Sequence, residues 1–264
     1  MKCALIESEA DIRLSVGDQD ALRFIKRMEG RTRGAFIHPL LNQAGGTITG
    51  LNQTSHGLFH GWAQIRYREQ LIDFWPGRDG SVHYLETAKT WEGQQEAGFT
   101  VELVHTALPG KGKVSNEYIL FDTLTVSLRP TAVGWLVEYT SEQMCASTWP
   151  VVIPEQDLGG GLAFQWNNRW PGGSQHSEAI DQGYLLTGPT EKSPSRLALV
   201  SHPENPGAPQ PILLENTPGQ LFCHFSPVRR TALRLEPGKT LTQRYRLLIF
   251  TPKVELNGLD IWTL

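Results

Sequence analysis

The sequence predicts an all-β protein folded as a large antiparallel two-sheet sandwich, and three observations predict it. Apolar residues recur mainly at every second position, glycine and proline punctuate the chain about every ten residues, and helix signals are scarce. Val133, Trp135, Val137 and Tyr139 alternate to make one bulky face. Thr125-Val126-Ser127-Leu128 alternates just before them, and Arg129-Pro130-Thr131 supplies the turn of a hairpin. The runs Phe99–His105, Arg196–Ser201 and Leu221–Phe225 repeat the pattern. Thr240–Phe250 is announced by the turn Glu236-Pro237-Gly238-Lys239; Leu241, Tyr245, Leu247 and Ile249 face one way, and Thr242, Arg244 and Arg246 the other. Asp18–Glu29 has a helical reading capped by Asp18, but Leu22, Phe24, Lys26 and Met28 also alternate, which favours a strand. No composition break or linker divides the chain, so residues 1–264 read as a single sandwich domain of a dozen or more strands. The least regular stretch, Val151–Lys192, carries Gly159-Gly160-Gly161 and Pro171-Gly172-Gly173, and loops of that length are where sandwiches build binding sites.

Charge and composition exclude several classes of function. Lys and Arg number 24 against 27 Asp and Glu, a formal net charge of −3, which lacks the dense basic surface that nucleic acid or anionic membrane requires. No apolar run approaches the roughly 18 residues of a membrane span. Acid arrives at Glu7, too early for a secretory signal, so the expected location is the cytoplasm. Cys3, Cys145 and Cys223 lack metal-finger spacing and read as buried thiols. Nucleotide-binding, zinc-protease, serine-hydrolase and calcium-loop signatures are absent, and no cofactor is expected.

Histidine and tryptophan clusters carry the chemical signal. In Ser55-His56-Gly57-Leu58-Phe59-His60-Gly61-Trp62 the two imidazoles stand four apart, a spacing that puts them on one side of a regular strand or helix. Ile72-Asp73-Phe74-Trp75 places Asp73 and Trp75 on one strand face; His38-Pro39 precedes these clusters and His202-Pro203-Glu204-Asn205-Pro206 follows them. Three readings compete: a divalent-metal site with His56, His60 and either His202 or His38 as ligands; metal-free acid–base imidazoles; and hydrogen-bonded structural histidines beside tight turns. Trp166-Asn167-Asn168-Arg169-Trp170, in the irregular stretch, mixes indoles, amides and a guanidinium in a way that suits sugar hydroxyls.

The ordered set His38-Pro39-Leu40, Gly45-Gly46-Thr47-Ile48-Thr49, Ser55-His56 to His60-Gly61-Trp62, Asp73-Phe74-Trp75, His202-Pro203-Glu204-Asn205-Pro206 and Leu235-Glu236-Pro237-Gly238 resembles the PmoA-like family, a bacterial domain of unknown function. The resemblance covers about residues 10–250. It implies a β-sandwich similar to the galactose mutarotase-like super-sandwich and a role in carbohydrate metabolism. The chain departs from the family pattern in the three residues between His56 and His60 and in Leu248-Ile249-Phe250-Thr251, where relatives carry histidine.

Together these readings give a carbohydrate-active protein whose partner is a mono- or oligosaccharide. The expected chemistry is hydrolysis, elimination or epimerisation. His60 and His202 are expected to transfer protons, His56 to orient them, and Asp73 to orient an imidazole or bind a hydroxyl. Trp75 and Trp166 are expected to stack on the ring, with Arg169, Asn205 and His38 holding substrate. His56, His60 and His202 should then converge in one solvent-reachable pocket. The alternatives are a non-catalytic sugar-binding module and a metal-dependent enzyme.

Overall fold

The computed structural model describes residues 2–27, 35–51, 56–74, 79–108, 117–157, 160–167, 176–217, 220–255 and 260–264. The chain opens with β1 (Cys3–Glu7), β2 (Asp11–Val16), β3 (Gln19–Ile25) and β4 (Phe36–Leu40), each antiparallel to the last. Three short strands follow, β5 (Leu58–Gly61), β6 (Gln64–Tyr67) and β7 (Gln70–Asp73). Four long ones come next: β8 (Gly80–Trp91), β9 (Ala97–Ala107), β10 (Glu117–Pro130) and β11 (Gly134–Cys145). Then come β12 (Val151–Ile153), β13 (Gly161–Gln165), β14 (His176–Ile180), β15 (Gly183–Gly188) and β16 (Ser195–Ser201). The last strands are β17 (Ile212–Thr217), β18 (Gln220–Phe225), β19 (Leu233–Leu235) and β20 (Thr240–Phe250), before a 3-10 turn at Ile261–Thr263.

These strands form three sheets. Sheet I has the order β1-β2-β3-β4-β5-β13-β18-β17, and sheet II the order β14-β15-β16-β20-β11-β10-β9-β8. Sheet III is small, β19-β12-β6-β7. The all-β antiparallel sandwich is the expected one; the third sheet is an addition to the two-sheet reading.

Alternation explains how the large sheets meet. Ile12, Leu14, Phe24, Leu58, Leu162, Phe164 and Cys223 of sheet I pack on Phe99, Val101, Val126, Val137, Tyr245, Leu247 and Ile249 of sheet II to form the main core. Trp135, Val137 and Tyr139 bury together as the hairpin pattern requires, and Asp18–Glu29 contains strand β3 rather than a helix. The Glu236–Lys239 turn closes with Lys239 N–H donating to the Glu236 carbonyl at 3.0 Å. A second core lies under sheet III, where Trp62, Ile65, Ile72, Phe74, Val151 and Ile153 meet Ile119, Leu120 and Cys145. The outer face of sheet II is covered in part by the C-terminal turn, with Ile261 against Leu136, Leu248 and Phe250. All three cysteines are buried thiols, and burial pushes the Cys223 thiol up to about 12.

The region Val151–Lys192 is more regular than its glycines and prolines imply, since it contains β12, β13, β14 and β15. Trp166 corrects the binding-loop expectation. It follows β13, bridges to Thr49, and is fully enclosed by the main core with its ring 5.6 Å from Phe164. The bulk of the indole is better spent filling the space between sheets than facing water.

Candidate functional site

Sheet I carries histidines on both of its faces, and the two sets are chemically different. The division arises at Gly57. Regular alternation would put His56 and His60 on one face, but Gly57 adopts φ +60° and breaks the period of two. A Cβ there would stand 2.2 Å from the Ile37 carbonyl oxygen and 3.1 Å from His38 Cβ, so only glycine lets this segment close on β4. His60 therefore leaves β5 with Leu58, toward sheet II, whereas His56 turns to the opposite face and rests its ring 5.3 Å from Phe36.

The inner histidine belongs to a closed polar network. Gln143 of β11 sets its geometry, because the Trp62 indole can only donate and does so to Gln143 Oε1 at 2.6 Å. The amide nitrogen of Gln143 then donates to Asp122 Oδ2 at 3.1 Å and to His60 Nδ1 at 3.0 Å. With Nδ1 accepting, His60 carries its proton on Nε2 and donates it to Gln243 Oε1. Both ring nitrogens are thus committed, and burial pushes the imidazole below its ordinary pKa, so it is neutral. Asp122 also accepts from Ser141 Oγ at 2.7 Å and meets His105 Nε2 at 3.4 Å. Burial works to raise its carboxyl, but His105, His60 and the Ser141 hydroxyl hold it below the usual range as an anion. The adjoining cavity of about 10 Å³ is lined by His60, Trp62, Phe74, His105, Asp122 and Tyr139, room for about one water and not for a sugar.

The outer face of sheet I is different in kind. Four adjacent strands, β4, β5, β13 and β18, contain no Asp, Glu, Lys or Arg. Phe36, Phe59, Ala163 and Phe222 cluster there. Phe59, Ala163 and His224 lie in register across β5, β13 and β18, so the small Ala163 is a buried floor between an aromatic ring and an imidazole. His38 leaves β4 on the face opposite the core residue Ile37, and its Nδ1 stands 3.0 Å from Thr49 Oγ1. His38 and His56 thus occupy the β4–β5 side of this floor and His224 the β18 side.

The protonation of His224 follows from its neighbours. Ser226 Oγ has one hydrogen and gives it to the Asp157 carbonyl at 3.1 Å, so it accepts from His224 Nδ1–H at 3.2 Å. Nε2 is therefore the basic nitrogen. Burial depresses the ring to about 4, with a smaller opposing effect from the Phe225 backbone, so His224 is neutral at pH 7. His224 and Ser226 stand two apart in sequence, but Asp157, which fixes the Ser226 hydroxyl, joins them only through the fold.

The remaining expected site residues are dispersed. His202 does not join either set. It sits just past the end of β16, its ring 4.6 Å from Trp262, with Nδ1 accepting from the Glu204 backbone at 3.1 Å. Trp262 lies under the Arg246 guanidinium on the outer face of sheet II, so sheet II separates His202 from His60 and the full sandwich separates it from His56. The expected convergence of His56, His60 and His202 therefore fails, as does the metal ligand set drawn from them. Among the described residues no group of three His, Cys, Asp or Glu is placed to hold a metal ion. Asn205 is also corrected: its amide pairs with both backbone groups of Arg244 at 2.8 Å and ties the 202–210 segment to β20. Asp73 ends β7 on the face opposite Ile72 and Phe74, away from both histidine sets. Trp75 and Arg169 lie outside the described residues.

Residues 11–260 match a family described as Family of unknown function (DUF6807). The chain belongs to this family. Its designation differs from the PmoA-like one that the short motifs resemble. No curated protein matches the chain. Among solved structures, a putative kojibiose phosphorylase from human microbiome is 8% identical, with a TM-score of 0.38 over 98% of this chain and 31% of that one. The chain therefore spans about a third of the length of that phosphorylase. A putative aldose 1-epimerase from Escherichia coli K12 is 8% identical, with a TM-score of 0.37 over 94% of this chain and 98% of that one. A polysaccharide lyase is 8% identical, with a TM-score of 0.35 over 94% and 32%. Scores this low carry no argument about activity. Among the described residues no helix is long and apolar enough to cross a membrane.

Proposed function

We propose that the protein acts on an uncharged sugar held against the outer face of sheet I, with His224 transferring a proton. The carrying observation is the chain from His224 through Ser226 to the Asp157 carbonyl, set among four adjacent strands that contain no charged residue. Phe59, Phe222, His56 and His224 are all buried, so the face must open to admit a ligand; its aromatic rings and imidazoles then suit apolar C–H surface and neutral hydroxyls. It does not suit a phosphate, which needs a cation or a row of backbone N–H groups.

The reaction class follows from the same inventory. A two-carboxylate glycosidase mechanism needs a pair of acids that these strands do not contain. A neutral imidazole held in one tautomer can take a proton from a sugar carbon or hydroxyl while a second group returns a proton to oxygen, and its pKa of about 4 makes it a weak base that needs an acidic proton. Epimerisation or elimination fits that pattern, and His56, on the other side of the Ala163 floor, is the second imidazole.

The test is proton NMR of a panel of reducing mono- and disaccharides incubated with the protein. His224→Gln should keep the melting temperature and sugar affinity close to wild type and lower turnover on the order of a hundredfold. Full turnover in His224→Gln would end the assignment. Sugar binding without turnover by the wild-type protein would replace it with a binding-only role.

A further inference from the structure

Sheet III carries a feature unrelated to the histidines. Its inner residues, Ile65, Tyr67, Ile72, Val151, Ile153 and Leu235, fill the second core, so the alternate residues form its outer face. Across that face Arg234, Val152 and Arg66 stand in register on β19, β12 and β6. The two arginines are thus two strand spacings apart, about 10 Å. Arg68 and Trp149 extend the row into an open cleft of about 700 Å³, within the size range of ligand clefts. Trp149 is 54% exposed, unusual for the largest apolar side chain in a monomeric protein. The Arg68 guanidinium lies 5.1 Å from the Tyr67 ring and 5.9 Å from the Trp149 ring, which orients both the cation and the indole.

The acids around the cleft leave Arg66 without an ion pair among the described residues. Arg68 pairs with Glu117 at 3.5 Å, and Glu69 is exposed at the rim. Arg234 donates its Nε to Glu236 at 2.6 Å, leaving its two terminal nitrogens uncommitted. Arg66 makes no ion pair or side-chain hydrogen bond among the described residues. On a chain of net charge −3, the unpaired Arg66 and the outward terminal nitrogens of Arg234 beside an exposed indole form a localised anion-binding surface.

We propose that this cleft binds an acidic oligosaccharide, with sugar carboxylates on Arg66 and Arg234 and a ring stacked on Trp149. A guanidinium grips a carboxylate through two parallel hydrogen bonds, and an indole face takes the C–H face of a pyranose. The strand separation of the two arginines favours a chain bearing more than one carboxylate over a single small anion.

The test is calorimetry with tetragalacturonate and tetramannuronate, against a neutral tetrasaccharide and a short single-stranded oligonucleotide. One uronate should bind; the neutral sugar should bind at least tenfold more weakly, and 0.5 M salt should weaken the uronate complex. Arg66→Gln and Trp149→Ala should each weaken it about tenfold or more with unchanged melting temperature. His224→Gln should leave it unchanged, which separates this cleft from the outer face of sheet I. Binding of neither uronate, equal affinity for the neutral sugar, tighter binding of the oligonucleotide, or indifference to Arg66→Gln would each overturn the assignment.

Discussion

The two faces of sheet I hold similar residues for opposite purposes. Inside, His60 is clamped between two glutamine amides, and a buried anion, Asp122, organises a network spanning β9, β10, β11 and β20. Outside, His224 is oriented by one hydroxyl and keeps a defined basic nitrogen over a floor of alanine and phenylalanine. The inner histidine has both ring nitrogens committed to glutamine amides; the outer His224 is fixed in one tautomer by Ser226. A histidine count cannot distinguish these cases, but an account of donors and acceptors can.

The largest expected effect lies inside. Asp122→Ala strands the donors of Ser141, Gln143 and His105 in the core and should cost about 3–5 kcal/mol of unfolding free energy in urea titrations. A cost under about 1 kcal/mol would mean that the network is not a structural unit.

Next comes a pH effect that reports on the outer face. The folded pKa of His224, about 4, lies below the ordinary histidine value, so the unfolded chain binds the proton more readily. Its contribution is complete above about pH 6.5 and is lost as pH falls toward 4, on the order of 3 kcal/mol. Asp122, also depressed, acts in the same direction at lower pH. His60 and His83, both depressed by burial, act in the same window as His224. His224→Gln should therefore reduce the slope of the stability curve between about pH 6.5 and 4 without abolishing it, and leave the more acidic limb in place.

Gly57→Ala attacks the point where the two faces part. The strained φ and the contact with the Ile37 carbonyl should cost about 2 kcal/mol or more in thermal or urea unfolding. The smallest effect is expected at His60→Gln, which should cost about 1 kcal/mol of stability and leave any turnover on sugar within twofold. A hundredfold loss of turnover there would return the chemistry to the inner face.

The fold was legible because alternation needs no knowledge of partners: Trp135, Val137 and Tyr139, the Thr240–Phe250 strand and the Gly238 turn stand as the pattern requires, whereas Val133, outside β11, packs on the other face. Sheet III was not, since β12 and β19 are three residues each and too short to show a period. The histidine pair was misread at one residue, because i, i+4 spacing assumes a regular backbone and Gly57 is not regular. Trp166 was misread because amides and an arginine nearby in sequence say nothing about which way an indole turns. His105, Asp122 and Gln143 were invisible singly, since each gains meaning only from a neighbour on another strand; His224 needs the loop carbonyl of Asp157.

The seam at the start of the chain has a consequence of its own. The edge strand β1 gives the Cys3 N–H to the Gly93 carbonyl at 2.8 Å and the Leu5 N–H to Glu92 at 3.2 Å, while Lys2 Nζ meets Glu92 at 3.2 Å. Groups that an open edge would offer to another chain are already occupied by the turn between β8 and β9. The carboxylate at this latch is held below its ordinary pKa by the Leu5 N–H and by Lys2, so it stays ionised in mild acid. A large β protein invites copies of itself to add strands along its margins, and at this margin one glutamate and one glycine carbonyl turn such growth away.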